Sequence, residues 1–467
     1  MPRTQGDLGG GGWSRLTGSA RAGASVSGRQ TLVRGYEWGL PVWVCLSCFV
    51  EPLFKTVTTF QSGAMPQVDV NYQGTAPWQL RAVLYLPLLW AFAGVTTGFA
   101  ARLPSRLPRR HLLRFVALCA TVGVVVALHP TDLHYLISPS ALISAMAPGT
   151  IMTAGLFFLG ATPSAWQALK KGIIASMFVA AFFVLKGMLE MGTASRAEAY
   201  LWLLGPVTML LPGCLLTLPA AQRWPLWGKA AALAPSVAAG LAGIALQSRL
   251  VLLVLLCQLS CYIYLRLKGP RVRFAEALWI AVAVVAVVSF VARNELASVS
   301  LASLMDRLGA DTRTGQVLDF IEQANIHDCL IGIGYVGYGA SDVEGIGHVD
   351  IGYVMISLIG GLPMTLSFIL LLVVPAAKAL RLRLEAEDAA VVAGATGYAV
   401  MLTSSAIPYF HVPFVIFSLL VGRCAYLGAV ATGSAPPEWW GDGVPAVRDR
   451  RLAASVHTER GRSRDCG

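Results

Sequence analysis

The sequence predicts an all-α polytopic membrane protein with about 12 transmembrane helices and one long, partly helical loop outside the cytoplasm. Three observations predict this fold class. The chain is 55% hydrophobic and only 13% charged. Apolar stretches recur along most of its length, and its basic residues are divided unevenly between alternate loops.

The composition indicates that lipid rather than water surrounds most of the chain. Soluble domains usually contain about a quarter charged residues, and the mean hydropathy here is +0.63. The formal net charge of +11 would also suit a nucleic-acid-binding protein. Most basic residues lie in short loops beside apolar stretches, however, where they orient helices and contact anionic lipid. We therefore expect membrane lipid as a partner and no nucleic acid.

Apolar stretches long enough to cross a bilayer, about 17–25 residues each, can be placed along the whole chain. Gln247, Ser248 and Arg249 interrupt one long apolar run, which predicts two spans there rather than one. The predicted spans are 38–58, 82–100, 112–128, 142–160, 172–190, 199–220, 230–246, 250–266, 276–292, 351–375, 389–407 and 414–431.

The distribution of lysine and arginine predicts the orientation. With a cytoplasmic N-terminus, 28 of the 36 basic residues fall on the cytoplasmic side, Arg423 among them, counted with the C-terminal tail. This is the bias of cytoplasmic loops, and it predicts that both ends are cytoplasmic. The predicted organisation is a cytoplasmic tail (1–37), transmembrane helices one to nine (38–292), a long outer loop (293–350), transmembrane helices ten to twelve (351–431) and a disordered cytoplasmic tail (432–467).

The N-terminal region offers no competing assignment. It is rich in arginine and glycine and lacks the short apolar core of a signal peptide. Cys45 and Cys48 have the spacing of a redox or zinc motif, but they lie in a predicted span with no second pair nearby. This setting favours small buried residues.

Arg249 lies at the outer end of a predicted span. A guanidinium near the bilayer is expensive unless it pairs with another group or lines a wet cavity. Two interpretations remain open: an arginine that extends its charge to the interface and marks a helix end, and an anion site at the outer membrane face.

The loop 293–350 begins with two helical patterns. The first predicts a helix on the membrane surface or packed on the bundle, with Arg307 at the edge of its apolar face. In the second, Arg313 shares a face with apolar residues and therefore points towards the protein. Solvated charges are the alternative for both arginines. The apolar residues are Leu301, Leu304, Met305 and Leu308 in the first pattern, and Val317, Phe320 and Ile321 in the second.

A glycine-rich segment at 332–339 contains the letters of G-x-G-x-x-G. No βαβ unit surrounds it and no helix start follows, which excludes a dinucleotide site. A turn that lets the backbone approach a ligand, or a flexible loop, remains. His348 and Asp350 stand immediately before the next span. His348 is a candidate general base that Asp350 would orient, or Asp350 would help to hold an acceptor sugar; a structural histidine is the alternative.

Together these residues match the needs of transfer from a lipid-linked pyrophosphate. Such transfer needs cations on the leaving phosphate, a base on the attacking hydroxyl and access from the lipid. Arg249, Arg307 and Arg313 would supply the cations, and His348 would supply the base. No carboxylate cluster with metal-ligand character accompanies them, so we expect no metal and no other cofactor.

On these motifs the chain resembles the O-antigen ligase and Wzy-type polysaccharide polymerase family of bacterial envelopes, most closely over 247–375. His348 is followed by Val349, where the family often has asparagine. The resemblance rests on Ser248-Arg249, Arg313, Gly332-Ile333-Gly334 with Tyr335, His348 and Gly360-Gly361-Leu362-Pro363.

The resemblance implies a metal-independent, inverting glycosyltransferase of the bacterial inner membrane, with the long loop in the periplasm. Arg249, Arg313 and Arg307 would bind the pyrophosphate of an undecaprenyl-pyrophosphate-linked oligosaccharide, and His348 would activate the acceptor hydroxyl. Polymerisation onto another lipid-linked repeat unit, for exopolysaccharide or O-antigen, is expected first, with a chain-length regulator protein as a further partner. Ligation to lipid A core or to protein is the alternative within the family.

A transporter or glycolipid flippase is the alternative from another class. It would need spans broken by glycine or proline and charges buried within the membrane. Lys186 and Glu51, with Lys55 one turn later, are charges in predicted spans. They lie towards the outer ends of those spans, and a transporter does not need the residue set of the 293–350 loop.

Overall fold

The computed structural model describes residues 39–42, 44–45, 109–129, 156–161, 163–190, 212–217, 224–245, 249–269, 318, 322, 325–334, 352–403 and 412–432. These residues are mostly helical, and none of them forms a strand. The helices are α1 (Arg109–Leu128), α2 (Pro163–Glu190), α3 (Leu226–Ala245), α4 (Arg249–Lys268), α5 (Ile326–Ile331), α6 (Gly352–Phe368), α7 (Val374–Ala379), α8 (Ala386–Met401) and α9 (Val412–Ala431), and the π-helical segment Ile369–Val373 joins α6 to α7.

Two of these helical stretches are long and apolar enough to cross a membrane, Arg110–Leu128 and Gly352–Ala379. The surface of α1 is also apolar: Leu113 is 67% exposed, and Val116, Val124 and Leu128 are exposed with it. Apolar side chains in this number on one exposed helix indicate contact with something other than water. The described part of the chain is thus helical with membrane-like surfaces, whereas the count of about 12 spans includes residues outside it.

The helix ends agree with the predicted spans at several places and differ at others. The run at 230–266 forms two helices, as predicted, but Arg249 is the first residue of the second helix and does not end the first. Helix α2 begins nine residues before the predicted span, so Lys170 lies inside a helix and not in a loop. Assigning Arg423 to the C-terminal tail was wrong: it lies inside α9 with a mostly buried side chain. The apolar sequence around it lets the helix continue, and an ion pair compensates its charge.

Helix α8 lies at the centre of the described bundle and packs against α4 and α9. Its residues from Ala389 to Ala395 are buried, and most of them are alanine, valine or glycine. Small side chains let neighbouring helices approach closely, which matters where lipid removes the hydrophobic drive for association. Helix α9 also packs closely against the helical residues 156–161 through small residues. A Cβ atom at Gly422 would overlap the backbone of Phe157, and one at Gly160 would overlap that of Leu419.

Loop ends that the charge distribution assigns to the cytoplasm meet at one end of the bundle. Lys268 at the end of α4 donates through Nζ to the backbone oxygen of Arg381, at 2.8 Å. Lys170 of α2 pairs with Glu387 at the start of α8, at 3.0 Å. Basic residues of α2 and α4 therefore lie at the end of the bundle where α8 begins.

Candidate functional site

The end of the long loop is folded in the structure and begins with the short helix α5. Asn325 caps this helix, because its side-chain oxygen accepts from the backbone N–H of Asp328 at 2.8 Å. Gly332 ends it at φ +81° and donates its N–H to Asp328 O at 2.9 Å. The glycine is needed because an L side chain is strained at this φ and ψ.

This loop end docks on a break in α6. Gly361 interrupts that helix at φ +66° and ψ −172°, a conformation almost restricted to glycine. A Cβ atom at Gly361 would overlap the backbone of Leu330, and one at Gly332 would overlap that of Ile359. The two glycine segments therefore let two backbones touch. Gly332 thus lets the backbone approach α6 closely, whereas approach of the glycine-rich turn to a ligand stays a prediction.

Hydrogen bonds satisfy the backbone and hydroxyl groups at the break. Ile333 donates its N–H to the oxygen of Leu358 at 2.7 Å. The hydroxyl of Thr365 lies 3.1 Å from Gly361 O and 2.8 Å from the hydroxyl of Ser357. Polar groups at membrane depth must find such partners within the protein. The end of the long loop is thus bound at the break in α6.

The position of Arg249 along the long axis of the bundle, which we call its level, follows from how the helices are aligned. Helix α4 runs antiparallel to α8: Gln258 packs against Gly397, and Gly269 lies beside Leu384 O. The first residue of α4 is therefore at the same end of the bundle as the last turn of α8. Nothing further is described for the side chain of Arg249.

The start of α6 lies at that same end. Tyr353 donates its backbone N–H to Leu402 O at 3.3 Å and its hydroxyl to Ala399 O at 2.9 Å. At 1.5 Å per residue, the backbone of Arg249 lies about one helical turn from the level of Gly352. In the sequence, the predicted catalytic residues immediately precede Gly352. The other predicted site residues, Arg307, Arg313, His348 and Asp350, lie outside the described residues.

Sequence reasoning missed a buried charge cluster at the opposite end of the bundle. Arg423 donates through Nη2 to Asp388 Oδ1 at 3.2 Å, and both side chains are mostly buried. The guanidinium also lies over the rings of Tyr426 and Trp166, 4.6 and 5.8 Å from their centroids. The available signal was an arginine inside an apolar run, which membrane burial makes costly unless a partner is present.

A second ion pair flanks the cluster. Lys170 contacts both carboxylate oxygens of Glu387, which also accepts from Trp166 Nε1 at 3.3 Å. Asp388 precedes the apolar part of α8, and its burial raises the pKa of its carboxyl above the usual range, while the Arg423 guanidinium opposes that rise. Arg423 therefore favours the charged form of the carboxyl, against the effect of burial. The cluster joins α2, α8 and α9.

The cysteines of the described residues are all free. Cys45 lies against Gly172 O at 3.7 Å and Ser176 Oγ at 3.6 Å, in keeping with a small packed residue; Cys48 lies outside the described residues. Cys329 on α5 is exposed. No three His, Cys, Asp or Glu side chains within the described ranges are close enough to hold a metal ion.

Replacing Gly361 by alanine is expected to loosen the loop end, because the new Cβ meets Leu330 backbone and the φ angle is unfavourable. The strain is about 1–3 kcal/mol, so amide exchange at Ile333, protected by its bond to Leu358, should accelerate by about tenfold to a hundredfold. Hydrogen exchange with mass spectrometry measures this. Gly123→Ala is the control, since nothing lies within 4 Å of its Cβ position. Unchanged protection in the Gly361 variant would contradict the docking.

Comparison with protein-family models, with curated proteins and with solved structures finds no match to this chain.

Proposed function

We propose that the chain is a polysaccharide polymerase that transfers a growing glycan from undecaprenyl pyrophosphate to a lipid-linked repeat unit at the periplasmic face of the bacterial inner membrane. The observation that supports this proposal is the backbone contact between the segments of Gly332 and Gly361: Gly332 lies against Ile359 and Gly360, and Gly361 lies against Leu330 and Ile331. These glycines belong to two motifs of the resemblance that are far apart in the sequence. The contact fixes one end of the segment that carries His348, and the start of α6 fixes the other.

The level of Arg249 gives further support. Its backbone lies about one turn from the level at which α6 begins, and His348 precedes that helix by four residues. A leaving pyrophosphate needs cations close to the base that activates the acceptor. In the proposed site, Arg249, Arg313 and Arg307 bind the pyrophosphate, and His348 takes the proton of the attacking hydroxyl while Asp350 orients it or holds the acceptor sugar.

The proposal is tested with the full-length protein in vesicles and a purified undecaprenyl-pyrophosphate-linked repeat unit. Wild type should produce long glycan without added metal, and Arg313→Ala should lower its formation by about a hundredfold or more, because transition-state charge stabilisation is lost. Arg293→Ala, an arginine of the same loop outside the motif, is the matched control. Equal polymer from both variants at equal protein levels would overturn the proposal.

Ligation and transport remain the competing functions. The broken helix α6 favours transport, because discontinuous helices form the binding sites of many transporters. Two backbone oxygens at the break are already bonded, however: that of Leu358 accepts from the loop end, and that of Gly361 accepts from Thr365. A fluorescent lipid-linked glycan distinguishes the three: a polymerase lengthens it, a ligase consumes it only when lipid A core or a protein acceptor is added, and a flippase moves it across the vesicle unchanged.

A further inference from the structure

The outer surface of α5 is apolar and continues the apolar surface of α6. Ile326 is 80% exposed and Leu330 is 52% exposed, one helical turn apart on the same side of α5. The backbone of Leu330 lies against Gly361, and the next residue of α6, Leu362, is 51% exposed. Leu366 of α6 and Leu370 of the following π-helical segment extend this exposed stripe at intervals of four residues.

The depth of this surface follows from the length of the span. A hydrocarbon core about 30 Å thick takes about 20 residues of helix. Lys378 is exposed and basic at the end of Gly352–Ala379, so the apolar part ends near it. About 20 residues earlier the chain passes position 357, which puts the contact of α5 with Gly361 just inside the remote edge of the core.

The arrangement of the polar groups of α5 is compatible with a position at the edge of the hydrocarbon core. Asp328 points away from the Ile326 side, since it lies two residues on in the helix, and its carboxylate is 3.6 Å from His327 Nδ1. Both ends of α5 are capped within the protein: Asn325 accepts from the N–H groups of Asp328 and Cys329 at the start, and Gly332 donates to Asp328 O at the end. A segment that meets acyl chains needs this internal pairing.

We propose that α5 is an interfacial anchor: Ile326 and Leu330 lie among lipid acyl chains at the membrane edge remote from Lys378, and they hold the end of the long loop at that depth. The occupant is bulk membrane lipid, because the stripe is continuous with the outward face of a helix that is long and apolar enough to span the membrane. The inference does not depend on the proposed transferase activity.

The test uses a diazirine-bearing amino acid introduced singly at position 330, 328 or 362 of the full-length protein, in vesicles of phosphatidylethanolamine and phosphatidylglycerol. After illumination, mass spectrometry counts phospholipid adducts. Position 330 should form adducts at least about fivefold more often than position 328 on the other side of α5, because an amphipathic helix buries only its apolar face. Position 362 reports on the span itself.

Each outcome decides the inference. Adducts at 330 and 362 with few at 328 support it, and this readout needs no catalytic activity. Adducts at 362 with 330 no higher than 328 would show that the outer side of α5 faces water or protein. An absence of adducts at both 330 and 362 would show that the stripe is not a lipid surface, which also overturns the inference.

Discussion

Replacing His348 by alanine is expected to lower polymer formation by about 100- to 10,000-fold, the contribution that a positioned general base makes to proton transfer. The lipid-linked repeat unit should still bind, because the proposed pyrophosphate contacts belong to the arginines. Single repeat units should therefore accumulate on the lipid carrier. Gel separation of the glycan, with protein levels measured in the same membranes, gives the result.

His327→Ala is the matched control for this prediction. It removes a histidine from the same loop, on α5, whose side chain is 66% exposed, and it should leave polymer at the wild-type level. Asp350→Ala should reduce polymer less than His348→Ala, because orienting a base or holding an acceptor is a smaller contribution than supplying the base. Normal polymer from His348→Ala would remove the histidine from the mechanism, whatever the arginine variants show.

Replacing Asp388 by asparagine is expected to lower the free energy of unfolding by about 3–5 kcal/mol, because it leaves the mostly buried charge of Arg423 without its partner. Arg423→Met should have a smaller effect. An arginine cannot lose its proton in a protein, whereas the carboxyl of Asp388, whose pKa burial already raises, can become neutral when the guanidinium is removed.

The pH dependence of Arg423→Met follows with a definite sign. A carboxyl whose folded-state pKa is raised favours the protonated form in the folded protein, so its stabilising effect is present at low pH. That effect is lost as the pH rises from about 4 through the raised pKa. The variant should therefore be relatively more stable in mildly acidic than in neutral solution.

Unfolding in mixed micelles with increasing sodium dodecyl sulfate measures these differences, and the double variant completes a thermodynamic cycle. Lys170→Gln is the control: its pair with Glu387 is more exposed, at 20% and 24%, and pairs of that kind contribute about 0–1 kcal/mol. Equal losses from Asp388→Asn and Lys170→Gln would contradict the special role of the buried pair.

Much of the helical organisation of the described residues could be predicted from the sequence, because long apolar stretches predict helices. Three consecutive polar residues predicted two separate helices, α3 and α4, although Arg249 begins α4 and does not end α3. Arg423 was the exception. Hydropathy could not reveal that an arginine inside an apolar run has a partner on another helix, 35 residues earlier.

The two glycine segments likewise show what could be predicted from the sequence and what required the structure. Each could be recognised as a place where the backbone needs freedom, but the sequence left open whether the turn at 332–339 approaches a ligand or remains flexible. In the structure, the backbone at Gly332 lies against α6. The predicted chemistry of Arg307, Arg313, His348 and Asp350 stays a prediction, since these residues lie outside the described ranges.

The sequence by itself predicted that the described part of the chain is helical and apolar, and approximately where its longer helices lie. These properties depend on local composition and periodicity. Only the tertiary structure decided that the segment of Gly332 contacts the segment of Gly361, that Asp388 pairs with Arg423, and that α4 and α6 begin at nearly the same level. Each of these is a contact between distant segments, set by how helices pack and not by any residue's neighbours in the chain.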